Sequence, residues 1–213
     1  MTGNLTRIVE PGGPMLDDAR VWDHLRVDLV SGSPEEPEDA ALIRVYRDAV
    51  TAHLDGPDGI LGRALISQGW ELRLAAFPQR IDRIYGDRRI ELPLPPLQSV
   101  TKIKYVDPDG ATQTLADELY TVLTDNGSEP GAVIPAYGTT WPATRCQPDA
   151  VTVTFVAGYG GTPADVPAAI SAASLLLIED LYANRSAKEV GTIVTENPAV
   201  MRLLRPHIRV GFA

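Results

Sequence analysis

Cysteine is nearly absent from this sequence: Cys146 is the only one in 213 residues. A single thiol excludes an intrachain disulfide framework and a multi-cysteine metal centre, and it fits a reducing cytoplasm or a particle assembled there. Histidine is scarce as well. His24, His53 and His207 are scattered, with no His-x-x-x-His pair for a metal and no sequence support for a Ser-His-Asp relay, so neither a metal, a cofactor nor a catalytic residue is expected. Long apolar runs are missing too. The most nearly apolar stretch, residues 166–178, has 13 residues and is too short to span a bilayer. No segment of residues 1–15 resembles a signal peptide, and we expect a soluble, unexported protein with no membrane partner.

Basic residues are outnumbered, with 19 Lys and Arg against 28 Asp and Glu, for a net charge of −9. General binding to nucleic acid or to anionic membranes is therefore disfavoured, because both need clustered cations to displace counterions. The exception is the C-terminus. Residues 197–213 hold Arg202, Arg205 and Arg209 and no acid, so a locally basic end follows an acidic body. Aromatics make up only 6%, whereas glycine and proline number 18 each, which argues against an all-helical bundle.

What is present is a change of period along the chain. Behind Asp17 and Asp18, residues 16–29 place Val21, Trp22, Leu25 and Leu29 at helical spacing. Ser33, Pro34 and Glu36 then read as an N-cap with a capping box for a second helix running to about Leu54. Its stripe is Leu42, Val45, Tyr46, Ala49 and His53, with His53 expected half-buried. From Trp70 the period becomes two. Trp70, Leu72 and Leu74 alternate with Glu71 and Arg73; Thr101, Ile103 and Tyr105 with Lys102 and Lys104; Val151, Val153 and Phe155 with Thr152 and Thr154. These are half-buried strands of an antiparallel sheet, and Asp107-Pro-Asp-Gly supplies a hairpin turn.

Helical spacing returns after Asp165, read as an N-cap. One face carries Val166, Ile170, Ala173, Leu177 and Leu181, widened by Leu175, Leu176, Ile178 and Tyr182. Asn197-Pro198 opens a last short helix stopped by Pro206. The fold class is thus α+β, a bundle of two N-terminal and two C-terminal helices interrupted by a small antiparallel β-rich subdomain. The expected divisions are a flexible N-terminus at 1–15, helices at 16–66, the β-rich subdomain at 67–160, helices at 161–206 and a basic tail at 207–213.

Several motifs suggest chemistry and then fall short. The run Ala157-Gly-Tyr-Gly-Gly-Thr between a strand and a helix could cradle phosphate, but Pro163 stands where a dinucleotide fingerprint needs its third glycine, and a P-loop's Gly-Lys-Ser/Thr is absent. A flexible connection is the simpler reading. The acidic pairs Asp17/Asp18, Glu35/Glu36 and Glu38/Asp39 read as helix-start charges. Glu179 and Asp180 lie deeper in an apolar helix and could pair with Arg185 or with a partner subunit. Asn126-Gly-Ser reads as a turn rather than a glycosylation site, and Asp107-Pro-Asp-Gly as a hairpin rather than the start of a calcium loop.

Ordered blocks over residues 16–213 resemble the phage head-to-tail connector proteins, also called adaptors or head-completion proteins. They are Gly62-Arg-Ala-Leu-Ile-Ser-Gln-Gly-Trp-Glu-Leu, Ile90-Glu-Leu-Pro-Leu-Pro-Pro-Leu-Gln-Ser-Val-Thr-Lys-Ile-Lys-Tyr, Trp141-Pro-Ala-Thr-Arg, Val151-Thr-Val-Thr-Phe-Val-Ala-Gly-Tyr-Gly and Val166-Pro-Ala-Ala-Ile, with His24-Leu-Arg-Val-Asp upstream. Asp55-Gly-Pro-Asp-Gly-Ile-Leu-Gly is similar to versions in gene transfer agents. The resemblance implies a virion structural protein and not an enzyme. It implies a homo-oligomeric ring of about twelve copies, docked on the portal protein and receiving a stopper or tail-completion protein, with DNA passing through without specific binding. It also implies that the C-terminal segment reaches the portal, for which we expect Arg202, Leu203, Leu204, Arg205, His207, Ile208, Arg209 and Phe212, the tail ordering as it binds; the alternative is a tail that packs on its own domain. Subunit packing is expected at Leu177, Glu179, Asp180 and Arg185. The alternative is an unrelated monomeric binding or assembly module.

Overall fold

The structure, a computed structural model, describes residues 3–27, 36–79, 88–124, 129–184 and 197–209. It is α+β, and among the described residues the strands of its two sheets pair antiparallel. The chain divides into two compact units, one of residues 1–12 and 67–159, the other of residues 13–66 and 160–213.

The first unit is built on sheets. Strands β1 (Asn4–Val9), β2 (Gln68–Leu74), β4 (Leu97–Val106), β5 (Thr112–Thr114) and β8 (Val151–Ala157) form one sheet in the order β1-β2-β8-β4-β5. A second sheet has the order β3-β7-β6, from Ile90–Leu92, Gly131–Pro135 and Tyr120–Leu123. Strand β8 is central because alternation gives it one wholly apolar row. Val151, Val153 and Phe155 are fully buried, and opposite them stand Leu74, Leu72 and Trp70. Each such side chain contributes about 1.5–3 kcal/mol by leaving water.

The opposite sheet face carries Glu71, Arg73, Thr152, Thr154, Lys102 and Lys104 in register, as the sequence pattern requires. Phe77 stacks on Trp141 with ring centroids 4.8 Å apart, and the Trp141 indole N–H donates to the Arg88 carbonyl at 2.6 Å. Gly131 allows Leu97 to lie against the β7 backbone, where any Cβ would collide with the leucine side chain.

Two expectations in this unit are corrected. Residues 4–9 are not a flexible N-terminus but the edge strand β1, held by the ladder to β2 and by Arg7, which lies over the Trp70 ring and donates to Gln68. Thr101 does not face inward with Ile103. A bulge lies between Val100 and Lys102, so Val100 takes the place opposite Phe155 and Thr101 is exposed. The hairpin forms as expected, with the Gly110 N–H donating to the Asp107 carbonyl at 3.0 Å and Gly110 at φ +93°.

The second unit packs α3 (Ala168–Ala183) against α1 (Asp18–Leu25), α2 (Ala40–Leu54) and α4 (Pro198–Leu204). Helix α1 is shorter than its pattern because Arg26 adopts φ 53° and closes the last turn; Leu29 lies outside the described residues. The cap assigned to Ser33 and Pro34 also lies outside them, and α2 begins after Asp39.

The buried face of α2 is Ala40, Ile43, Val50 and Leu54, not the expected stripe: Val45 is 62% exposed, and Ala49 and His53 are exposed. Two apolar stripes compete on this helix, and packing against α3 selects the one whose flanking Arg44 and Arg47 both reach Asp18 of α1. In α3 the buried residues are Ile170, Ser171, Ala173, Ser174, Leu175 and Ile178, whereas Leu177 is half-buried and Leu181 is 39% exposed. Ser171 and Ser174, which no hydrophobic stripe records, are buried beside the apolar ones. Val166 precedes the helix, since Pro167 confines it to extended backbone at ψ 132°.

Candidate interaction surfaces

The C-terminal basic segment starts from a well-formed cap. The Asn197 side chain accepts from the Ala199 N–H at 3.0 Å, and Pro198 supplies the first turn without needing a partner for a backbone N–H. Helix α4 buries Val200 and Leu204 and leaves Met201, Arg202 and Arg205 exposed, with Leu203 half-buried. Helix α4 ends at Leu204, ahead of Pro206, which sits in the 3-10 turn Arg205–His207 that follows.

Beyond it the backbone is tied down. The His207 carbonyl accepts from Arg63 Nε at 2.6 Å, and the Arg209 N–H donates to the Leu61 carbonyl at 3.1 Å. Arg63 itself is only 4% exposed. Burial, and then the nearby guanidinium, holds the His207 imidazole below its ordinary value of 6.5.

The residues expected to meet a portal therefore separate into groups. Arg202 and Arg205 project into solvent; Leu204 belongs to the core; His207, Ile208 and Arg209 are half-buried beside residues 61–63; Phe212 lies outside the described residues. Residues 207–209 thus lie against residues 61–63 of the same unit, and residues 210–213 lie outside the described residues.

The residues expected at a subunit contact also have local partners. Glu179 Oε2 lies 3.2 Å from His24 Nε2, and Asp180 Oδ1 accepts from Asn184 Nδ2 at 2.9 Å. Arg185 lies outside the described residues, and Leu177 is half-buried. Sequence reading missed the strongest charged cluster of this unit. Asp18 accepts from both Arg44 and Arg47, Arg44 also reaches Glu36 and lies over the Trp22 ring, and these acids hold the Arg44 guanidinium above its ordinary value. The carboxylates read as helix-start charges thus serve as cross-helix anchors. Asp39, likewise, accepts from the Tyr182 hydroxyl at 2.9 Å.

At the glycine-rich run, an internal carboxylate occupies the place an anion would take. Asp165 Oδ2 accepts from the Thr162 N–H at 2.9 Å and from its hydroxyl at 2.8 Å, closing a capping box around the 3-10 turn Pro163–Asp165. Those hydrogen bonds keep Asp165 below the usual carboxylate range. Its charge repels phosphate, and a side chain at Gly160 would strike it. Thr162 is thus the cap of this turn, with Asp165 as its capping-box partner, and Asp165 does not cap α3.

The Asn126 sequon lies outside the described residues. Among the described residues no group of His, Cys, Asp and Glu could hold a metal, and no helix is long and apolar enough to cross a membrane. Cys146 is exposed.

A further feature was not foreseen at all. Past the last β6–β7 pair, Tyr120 and Pro135, the Ala136 N–H donates to the Leu119 carbonyl at 3.0 Å, which brings the turn at 136–139 beside the end of the 3-10 turn Asp117–Leu119. The turn at 136–139 is closed by the Thr139 N–H and hydroxyl, both donating to the Ala136 carbonyl, with Gly138 at φ +77°. Tyr137 is 106% exposed and Leu119 41%.

No family profile and no curated protein matches the chain. Solved structures do. A chain in the neck of an empty gene transfer agent particle, determined with sixfold symmetry, is 26% identical with a TM-score of 0.73; 99% of this chain and 97% of that one are covered. One in the virion of a native gene transfer agent particle is 26% identical with a TM-score of 0.67, covering 98% and 97%. A third, in the neck of a native particle determined with twelvefold symmetry, is 22% identical with a TM-score of 0.61, covering 100% and 98%, and shows the fold alone. The resemblance to phage head-to-tail connectors is therefore met in three dimensions: over essentially its whole length this chain is similar to chains of gene transfer agent particles.

Proposed function

We propose that this chain is a structural adaptor subunit, not an enzyme, of a phage-like particle assembled in the bacterial cytoplasm. About twelve copies form a ring between the capsid portal and a stopper or tail-completion protein, surrounding a channel for DNA. Within each copy a helical bundle is interrupted by the β-rich subdomain. The observation that carries this reading is the match to a neck chain over 99% of this chain and 97% of that one.

Charge supports the division of roles. An acidic body, net −9 even with the basic end included, lets DNA pass without phosphate-gripping contacts. The exposed Arg202 and Arg205, on a helix whose Leu204 is locked in the core, offer cations on a rigid support for the portal, with Leu203, His207, Ile208, Arg209 and Phe212 beside them in the chain. Leu177, Glu179, Asp180 and Arg185 remain the proposed subunit-packing residues. Imaging the full chain mixed with the portal of its own particle tests the reading. Rings seated on the portal are expected, and a chain that leaves the portal bare under all salt conditions overturns it.

A further inference from the structure

We infer that the outer face of the five-stranded sheet, at Lys102 and Lys104, docks an acidic surface of a second copy of this chain. This inference deepens the adaptor reading and rests on it. Its first ground is the strand register. One row of side chains on that face crosses all five strands, through Asn4, Arg73, Thr152, Lys104 and Thr114; the next runs through Thr6, Glu71, Thr154 and Lys102. Short side chains, mostly threonine, separate the charged ones. The face is thus a shelf about 19 Å wide, from strands set about 4.8 Å apart.

The second ground is how charge is spread over the shelf. On β2 the positive charge is answered within the chain. Arg73 Nη2 lies 2.6 Å from Glu71 Oε1, and Glu71, with Asp149 beyond it, holds the guanidinium above its ordinary value. On β4 it is not answered. Lys102 and Lys104 are exposed, stand about 7 Å apart along the strand, and make no ion pair among the described residues.

The anion that meets them follows from the rest of the molecule. Copies of a chain with a net charge of −9 repel one another, so they stay together where cations of one face acids of the next. A shelf whose unanswered charge is all positive cannot pair with itself. The contact is therefore head-to-tail, the kind that repeats around a ring. Its other side needs carboxylates in solvent, and Glu179 and Asp180, exposed near the end of α3 and already proposed for subunit packing, are such a pair. DNA fits less well. Glu71 shares a row with Lys102 and repels phosphate, and two lysines displace few counterions.

The test uses the full-length chain with the portal of its own particle and two double variants, K102Q/K104Q and K102E/K104E. Neither lysine has an ion-pair partner to lose, so both variants should melt as the parent does. Single copies should still reach the portal. The yield of complete rings by electron microscopy should fall about tenfold or more for K102E/K104E and a few-fold for K102Q/K104Q. Raised salt should bring the parent's yield toward that of K102Q/K104Q. Because K102E/K104E keeps its acidic side, about one part in four of it should spoil parent rings more than the same share of an inert protein does. K102E/K104E rings at the parent's yield overturn the inference while the adaptor reading stands, and losing only DNA retention or stopper binding counts the same way. A K102E/K104E chain that leaves the portal bare also overturns it, by assigning the shelf to the portal. A parent chain that forms no rings overturns the adaptor reading itself.

Discussion

The β unit and the helical unit bury their side chains by different rules, and the contrast explains where each resists change. In the β unit strand β8 is the middle one of five, so Val151, Val153 and Phe155 stand between the long strands β2 and β4 and are fully buried. In the helical unit the central element, α3, buries Ile170, Leu175 and Ile178 together with the small Ser171, Ala173 and Ser174, while Leu177 and Leu181 stay at the margin. A sheet thus concentrates its stability in a row of large side chains. A helix spreads it along a narrow strip of large and small residues, leaving apolar residues outside without consequence for the fold.

The largest effect should come from breaking the row. Phe155→Ala removes a fully buried ring from the middle of the sheet and should cost about 3–5 kcal/mol, read by chemical denaturation and by loss of amide-exchange protection in β2, β8 and β4. Retained protection in all three strands would mean that the row is not the keystone of that unit. Next comes a pair of substitutions within α3. Ile178→Ala should cost about 2–5 kcal/mol, whereas Leu181→Ala, three residues on and equally apolar, should stay within about 0.5 kcal/mol. Equal losses would restore the stripe that periodicity alone suggests and refute the strip.

That contrast also marks how far the sequence could be read. Strand pattern and burial agree because a side chain in a sheet has only two directions, so Leu72 opposite Val153 follows from alternation. Thr101 escaped because a bulge inserts one residue without any local signature. A helix has many possible faces, and α2 carries two apolar stripes. Which is buried depends on α3 and on Asp18 meeting Arg44 and Arg47, contacts between residues far apart in sequence.

β1 was invisible for a related reason. An edge strand that is mostly exposed needs no apolar alternation, and its pairing depends on β2, some sixty residues away. Of the interaction surfaces, the basic end was legible as a charge cluster, but its anchoring through Arg63 and Leu61 was not. Tyr137 could have been found from the Tyr-Gly pair after an alternating run, a turn signal; its exposure could not.

A smaller effect separates two adjacent glycines where the chain has entered the helical unit. Gly160→Ala pushes a methyl into the Asp165 carboxylate and should cost about 1–2 kcal/mol by overpacking the capped turn. Gly161→Ala meets open space and should change stability by less than about 0.5 kcal/mol. If both behave alike, the glycine run serves only backbone freedom and the capping box at Asp165 is incidental.

The smallest effect concerns acid and should be confined to one unit. His207 binds its proton less readily in the folded chain than in the unfolded one, because burial and Arg63 disfavour the imidazolium. Between the folded value and the ordinary 6.5 the unfolded chain therefore carries more protons, and stability rises with pH through that window. The contribution is fully present above pH 6.5 and is lost as pH falls below it. The imidazole is partly solvated, so the change is local rather than global. On acidification from neutral pH, the protection of the Arg209 amide, which donates to the Leu61 carbonyl, should fall relative to its intrinsic exchange rate before that of the β8 amides. His207→Gln, which cannot take up a proton, should abolish the pH dependence of that amide while leaving its hydrogen bond in place. An Arg209 amide equally protected at pH 5 and pH 7 would show that the segment is held by its backbone bonds alone, and that the charge facing His207 plays no part in keeping the basic end docked.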